Sequence, residues 1–118
     1  MEPNLQPPKT RVITIMAFAY NGGIPTAALN PDSVIIDCRV LPNVWQERNL
    51  RGVSGKDPRV LDWIGTQSPL QVNYLQDQAM DAVRKRRANT VYFGCAHGRH
   101  RSVAMAVEFA RRLAAGNK

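Results

Sequence analysis

The chain has 118 residues, of which 44% are hydrophobic and 21% are charged, and its formal net charge is +7. This length and composition are typical of one globular domain and exclude a chain that is disordered throughout. No apolar run is long enough to cross a bilayer, which argues against a membrane protein. We expect a disordered lead-in over residues 1–10, where proline is frequent, and a single domain over residues 11–118.

The first residues also lack the basic and apolar regions of a secretory signal peptide. We therefore expect a cytoplasmic location, where reducing conditions keep Cys38 and Cys95 as free thiols. The positive charge lies at one end: seven basic and eight acidic residues precede Arg84, whereas nine basic and one acidic residue follow from Arg84 onward. This asymmetry favours an anionic partner, although a solvated basic face explains the charge alone equally well.

Apolar runs predict two strands in the first third of the chain. Residues 11–20 form a nearly continuous apolar segment, as in a parallel strand covered on both faces, and Asn21-Gly22-Gly23 ends it. Ser33–Asp37 is a second short strand. The segment from Leu41 to Lys56 has no regular period and is predicted to be irregular.

Two helices follow. Asp57-Pro58 is a strong helix start, because an acidic N-cap precedes a proline at the first helical position, and Gly65 is expected to end that helix. Ser68-Pro69 begins the next one, with Gln71 placed to complete a capping box. Its last turn reaches the cationic run of residues 84–87, where positive charge favours the helix dipole.

The last elements are a strand at Thr90–Phe93 and a helix at Ser102–Ala115. The order of strands and helices predicts an α/β fold, a small three-layer sandwich with a mostly parallel sheet. Near the C-terminus this order produces a strand, a glycine-bracketed loop and a helix. Such a loop binds anions, because the helix N-terminus presents free N–H groups and the positive end of its dipole.

Arginine side chains in this loop match phosphate oxygens with two parallel hydrogen bonds. Ligands of open α/β sheets gather at the carboxyl ends of strands, which adds Asp37 and Arg39 to the candidate site. The candidate ligand-binding residues are Asp37, Arg39, Cys95, Ala96, His97, Gly98, Arg99, His100, Arg101 and Ser102. We expect no metal and no cofactor, since two arginines in the loop repel a cation.

The same loop supports a catalytic alternative. Cys95 to Ser102 reads Cys-x5-Arg-Ser and resembles the phosphate loop of cysteine-dependent phosphatases. There Cys95 would be the nucleophile, with a pKa lowered by the helix N-terminus, and Arg101 would clamp the phosphoryl group. Gly94 stands where those enzymes usually carry histidine, and several aspartates remain possible as the general acid.

RNA binding is the second alternative. It would use the basic C-terminal third, through Arg84 to Arg87, Arg99, Arg111 and Arg112. RNA-binding modules usually add aromatic stacking platforms, and aromatic residues such as Tyr92 and Phe93 are few near this basic third.

A wider set of motifs resembles one known family. These motifs are Phe18-Ala19-Tyr20 with Gly23-Ile24-Pro25, Asp37 through Asn43, Leu50-Arg51 with Ser54 through Asp57, Gly94-Cys95, and His100 through Val103. In this order and spacing they resemble the C-terminal domain of the RNase adapter protein RapZ family, over about residues 12–113. Several ordered motifs are more specific than the phosphatase pattern alone.

The resemblance implies a binding domain rather than a catalyst. The family's domain senses glucosamine-6-phosphate, binds small regulatory RNAs and recruits RNase E. Carried over, Asp37 would contact the amino or hydroxyl end of the sugar, and Ala96, His97, His100 and Arg101 would hold its phosphate. The resemblance implies a stand-alone copy, without the family's nucleotide-binding N-terminal domain and basic tail, and leaves an oligomer open.

This chain departs from the family pattern at three places. Ala96-His97 stands where the family usually has Thr-Gly, and Val44-Trp45 stands where it has Pro-His. Ala19 replaces an expected lysine, while Arg99 keeps a basic residue in the anion loop. Tyr20, Asn43, Arg51 and Ser54 are equally consistent with lining the pocket and with turn or packing roles.

Overall fold

The computed structural model describes residues 11–116. Its strands are β1 (Thr14–Ala19), β2 (Ser33–Asp37) and β3 (Thr90–Cys95), and its α-helices are α1 (Pro58–Gln67), α2 (Pro69–Arg84) and α3 (Arg101–Gly116). Short 3₁₀ turns occupy the predicted irregular segment. The expected lead-in lies outside the described residues. In the part of the chain described, no helix is long and apolar enough to span a bilayer.

The three strands form one sheet in the order β1-β3-β2, and both pairings are parallel. The α/β class and the parallel sheet predicted from the sequence are therefore confirmed. Ala19 at the end of β1 lies opposite Cys95, and Asp37 at the end of β2 lies opposite Gly94. Since all three carboxyl ends meet at one edge, the segments that follow the strands are brought together there.

The helices cover one face of the sheet and make most of the core. Phe93 of β3 and Phe109 of α3 are both fully buried, with ring centroids 5.7 Å apart. Ile64 of α1 and Leu75 of α2 join the same cluster. The opposite face carries a smaller cluster around Phe18, which the 3₁₀ turn Thr26–Leu29 covers.

The helix boundaries correct two predictions. Gly65 does not end α1, which runs on to Gln67. A glycine inside a helix costs only about 1 kcal/mol relative to alanine, and the complete burial of Ile64 outweighs that cost. The capping box at Ser68 is also wrong, because this side chain caps nothing. Ser68 instead donates its own N–H to the carbonyl of Ile64 and so serves as the end of α1.

The start of α1 follows the sequence prediction. Asp57 is the N-cap, and its carboxylate accepts a hydrogen bond from the N–H of Arg59 at 3.0 Å. Cys38 and Cys95 are both free thiols, as predicted.

Phe109→Ala tests how strongly α3 is anchored beneath the candidate loop. We expect the free energy of unfolding to fall by about 3–5 kcal/mol, since a buried phenyl ring is lost and a cavity remains. Leu70→Ala is the control on an exposed helical position, with an expected change within about 0.5 kcal/mol. Urea denaturation followed by circular dichroism measures both, and equal losses would contradict this assignment of the core.

Candidate anion-binding site

The loop between β3 and α3 is packed against the end of β1. Its Gly98 has a φ of +67°, and a Cβ there would lie 3.0 Å from both the Cβ and the backbone nitrogen of Ala19. The backbone N–H of Asn21 donates to the carbonyl of Ala96 at 3.0 Å. Only glycine satisfies both the left-handed backbone and the close approach.

A second segment supports the loop from the other side. The N–H of Gly55 donates to the carbonyl of Arg99 at 3.1 Å. A Cβ on Gly55 would lie 2.7 Å from the carbonyl oxygen of His100, so the two backbones touch directly. That carbonyl accepts the first helical hydrogen bond of α3, from Ala104 at 2.9 Å. The loop is thus held between two segments before any ligand arrives.

A cavity of about 440 Å³ opens beside this loop, within the size range of small-molecule sites. The residues that line it are Asn43, Trp45, Arg51, Cys95, His97, Arg99, His100 and Arg101. Three of them carry guanidinium groups, and no carboxylate is among them. The cavity is therefore strongly electropositive.

Arg101 is the most buried of the three arginines, with 8% of its surface exposed. Its Nη1 donates to the carbonyl oxygens of Arg39 at 3.2 Å and Leu41 at 3.1 Å. These hydrogen bonds join the start of α3 to the segment that follows β2. Arg101 is therefore structural as well as part of the cavity wall, whereas the Arg51 and Arg99 residues are exposed.

Cys95 lines the cavity and is almost fully buried. Its Sγ accepts the N–H of Ser102 at 3.4 Å and lies 3.2 Å from the Ser102 hydroxyl. Burial raises the pKa of the thiol, but hydrogen bonds from Ser102 and from the Gly98 N–H, together with the charge of Arg101, more than offset it. The net pKa of Cys95 is below its ordinary value of 9.0.

The two histidines of the loop differ in environment. Burial and the neighbouring arginines lower the pKa of His100, although carbonyl groups of Val53 and Arg51 oppose the shift. Its Nε2 is buried and has no hydrogen-bond partner among the described residues. The His97 side chain is exposed, and its Nδ1 lies 3.2 Å from Nδ2 of Asn21. Within residues 11–116, no group of three or more His, Cys, Asp or Glu is arranged to hold a metal ion.

Asp37 and Arg39 do not line the cavity. The Asp37 carboxylate accepts two hydrogen bonds from the guanidinium of Arg39, at 3.0 and 2.7 Å. The guanidinium in turn lies 3.7 Å from the centroid of the Tyr20 ring. The hydrogen bonds from Arg39 lower the pKa of Asp37. Both residues are therefore engaged with each other rather than turned toward the cavity.

The structure brings half of the predicted site residues to the cavity wall: Cys95, His97, Arg99, His100 and Arg101. Ala96 and Gly98 are part of the loop but do not line the cavity. Ser102 lies in the first turn of α3, where it is buried and hydrogen-bonded to Cys95. Asn43 and Arg51 also line the cavity, whereas Tyr20 and Ser54 do not. Trp45 also lines the cavity and was not among the predicted site residues. Its signals in the sequence were the departure from the family's Pro-His pattern and an aromatic residue in an irregular segment close to Arg51.

Three of the basic residues outside the loop in the C-terminal third, Lys85, Arg111 and Arg112, are paired with carboxylates. Glu108 accepts hydrogen bonds from Arg111 and Arg112, which lower the pKa of its carboxyl group to about 2. Lys85 pairs with Asp81 at 3.6 Å. The candidate RNA surface therefore has less available positive charge than the sequence count implies.

The fold and the site define a small α/β domain with an arginine-lined cavity at a helix N-terminus. Residues 11–118 match the family described as the RapZ C-terminal domain. This chain belongs to that family.

Known relatives include a nucleotide-binding protein of Bordetella avium, 35% identical over 86% of this chain and 36% of the relative. A nucleotide-binding protein of Saccharopolyspora erythraea is 36% identical over 90% of this chain and 37% of the relative. Another, of Stenotrophomonas maltophilia, is 38% identical over 80% of this chain and 33% of the relative. The chain thus spans about a third of the length of these relatives.

The lowered pKa of Cys95 predicts a specific pH dependence. Since the folded thiol ionises below the ordinary pKa of 9.0, the unfolding free energy should rise with pH between the lowered pKa and that value, relative to Cys95→Ala. Cys38 is the matched control, because burial raises its pKa and its contribution has the opposite sign, falling above that pH. Denaturation curves that extend from below the lowered pKa of Cys95 to above pH 9.0 measure both contributions. Parallel profiles for wild type and Cys95→Ala below pH 9.0 would refute the assignment.

Gly55→Ala tests the support of the loop. The new methyl group would meet backbone atoms of Arg99 and His100, so we expect a loss of about 1–3 kcal/mol in stability. Gly52→Ala, in the same segment, meets nothing within 4 Å and should change stability by less than about 0.5 kcal/mol. Similar losses at the two positions, measured by urea denaturation, would show that the contact does not matter.

Proposed function

We propose that this domain binds a phosphorylated ligand in the cavity beside residues 94–102. The observation that carries the proposal is the lining itself, with three guanidinium groups and no carboxylate. Such a surface attracts anions and repels cations. Arginine also fits phosphate oxygens with paired, charge-assisted hydrogen bonds.

The three arginines have different roles in this proposal. Arg101 is fixed by its bonds to the carbonyls of Arg39 and Leu41. It supplies a preorganised charge whose position costs nothing further on binding. Arg51 and Arg99 are exposed and would close on the phosphate from the rim. The dipole of α3, which begins at Arg101, adds to the attraction.

The relatives are named nucleotide-binding proteins, which supports a nucleotide or a related phosphate as the ligand. The domain would then act as a binding or adaptor module in the cytoplasm, where free thiols are stable. RNA, an RNase and a second copy of the chain are further partners that we propose on the family resemblance.

A thiol phosphatase is the second candidate. It is favoured by Cys95, which lines the cavity and has a lowered pKa. Against it, no described carboxylate lines the cavity to protonate the leaving group. We expect no hydrolysis of an aryl phosphate above background. Turnover that Cys95→Ser abolishes, with phosphate binding retained, would establish the phosphatase instead.

The binding proposal is tested by titration calorimetry with inorganic phosphate. Arg99→Ala and Arg51→Ala should each weaken binding by at least about tenfold, since each removes a charge-assisted hydrogen bond. Arg101 is avoided because its replacement would also release the segment after β2.

Arg86→Ala is the matched control, an exposed arginine outside this cavity and inside the candidate RNA surface. It should leave phosphate affinity within about twofold. Equal effects of all three substitutions would mean non-specific attraction to net charge and would refute the site. RNA binding that Arg86→Ala weakens and that falls steeply with salt would favour the RNA alternative.

A further inference from the structure

Two cysteines form a side-chain pair at the carboxyl edge of the sheet. Ile36 of β2 lies opposite Phe93 of β3 in the parallel register, and Asp37 keeps an extended backbone. Because side chains alternate between the two faces of a strand, Cys38 and Cys95, each two residues further along, form the next pair on the same face. Both are buried in the same core cluster as Ile36 and Phe93.

The sulfur of Cys38 faces the end of β3. Burial raises the pKa of Cys38, and the nearby sulfur of Cys95 raises it further, whereas a hydrogen bond from the backbone of Gly94 opposes both. Adjacent strands lie about 4.8 Å apart, within the range of about 4.4–6.8 Å that separates the Cα atoms of disulfide-bonded cysteines. The backbone therefore already holds the two cysteines at a separation that a disulfide can bridge.

The two thiols differ in access and in reactivity. Cys38 has none of its surface exposed and does not line the cavity. Cys95 is buried from bulk solvent but lines the cavity of about 440 Å³, which is wide enough for hydrogen peroxide. Its sulfur accepts the N–H of Ser102 at 3.4 Å and lies 3.2 Å from the Ser102 hydroxyl. These contacts favour the thiolate, which is the reactive form of cysteine. A small oxidant that enters the cavity therefore meets Cys95 first, with Cys38 beside it.

We propose that Cys95 and Cys38 are a redox modification site, which a peroxide converts to an intramolecular disulfide. The inference goes beyond the proposed function, because it requires no phosphorylated ligand. The free thiols of this structure are the reduced state of the pair. Disulfides of proteins in reducing compartments are usually transient and redox-sensing, and a pair that one oxidant closes and a reductant opens has that character.

Disulfide formation proceeds in two steps. The Cys95 thiolate attacks one oxygen of the peroxide, an S–O bond forms, the O–O bond breaks, and solvent protonates the departing hydroxide. Cys95 is thereby oxidised by two electrons to a sulfenic acid, and the peroxide is reduced. The Cys38 sulfur then attacks the Cys95 sulfur, the S–S bond forms, the S–O bond breaks, and the hydroxyl leaves as water with the proton of Cys38. A dithiol reductant restores both thiols by exchange.

The first test treats the whole chain with hydrogen peroxide, alkylates the remaining thiols and measures masses without reduction. We expect the intact mass to fall by two hydrogen atoms and both cysteines to be protected from alkylation. Trypsin, which cuts after lysine and arginine, places Cys38 in residues 12–39 and Cys95 in residues 88–99. These two peptides should appear joined, and dithiothreitol should separate them.

Two single substitutions test the order of the steps. In Cys38→Ala the reaction should stop at the sulfenic acid of Cys95, which dimedone traps. In Cys95→Ala the remaining Cys38 should react with peroxide at least about tenfold more slowly than Cys95 does in Cys38→Ala, because it is fully buried and a protonated thiol is a poor nucleophile. Circular dichroism checks that both variants are folded, and the cross-link in the wild type is measured without either of them.

Four results would overturn the inference. A sulfinic acid at Cys95 beside a free Cys38 would show that the two sulfurs do not meet. A disulfide between two chains, seen as a dimer in the absence of reductant, would assign the oxidation to contact between molecules. Equal reaction rates of Cys38 and Cys95 in the two variants would remove the distinction between the attacking and the resolving thiol. A wild-type chain left unchanged by peroxide that oxidises free cysteine would show that both residues are inert packing thiols.

Discussion

The rest of the site depends on the hydrogen bonds that the buried guanidinium of Arg101 makes. Arg101 is the first residue of α3, and its side chain donates to the carbonyls of Arg39 and Leu41 in the segment that follows β2. The helix N-terminus and the segment that leads from β2 to Trp45 are therefore tied at one point. A buried charge is tolerated only when hydrogen bonds satisfy it, so the carbonyls and the guanidinium constrain each other.

The backbone around the loop adds a second constraint, made of close contacts rather than charge. Gly98 touches the end of β1, and Gly55 touches the carbonyl of His100. Together they hold the loop in its shape without help from a ligand. A preorganised loop loses little conformational entropy on binding, which is how a small cavity reaches useful affinity.

The sequence predicted the sheet and the glycine-bracketed loop that follows β3 because both depend on local signals. Apolar runs marked the strands, and glycines beside arginines marked the loop that follows β3. Asp37 and Arg39 could not be placed in the same way. The rule that ligands gather at the carboxyl ends of parallel strands places them at the correct edge of the sheet. It does not reveal that the two side chains form an ion pair with each other. The place of Trp45 in the cavity wall was missed because it depends on the irregular segment around Arg51, whose sequence has no helix or strand periodicity.

The strand order has a consequence for how the domain forms. β1 and β2 do not pair with each other, and each finds its partner only in β3. More than half of the chain must therefore be synthesised before the first ladder of the sheet closes, which gives the fold a high contact order. The strand that completes the sheet also carries the candidate anion loop, so a nascent chain acquires its sheet and this candidate site in the same event.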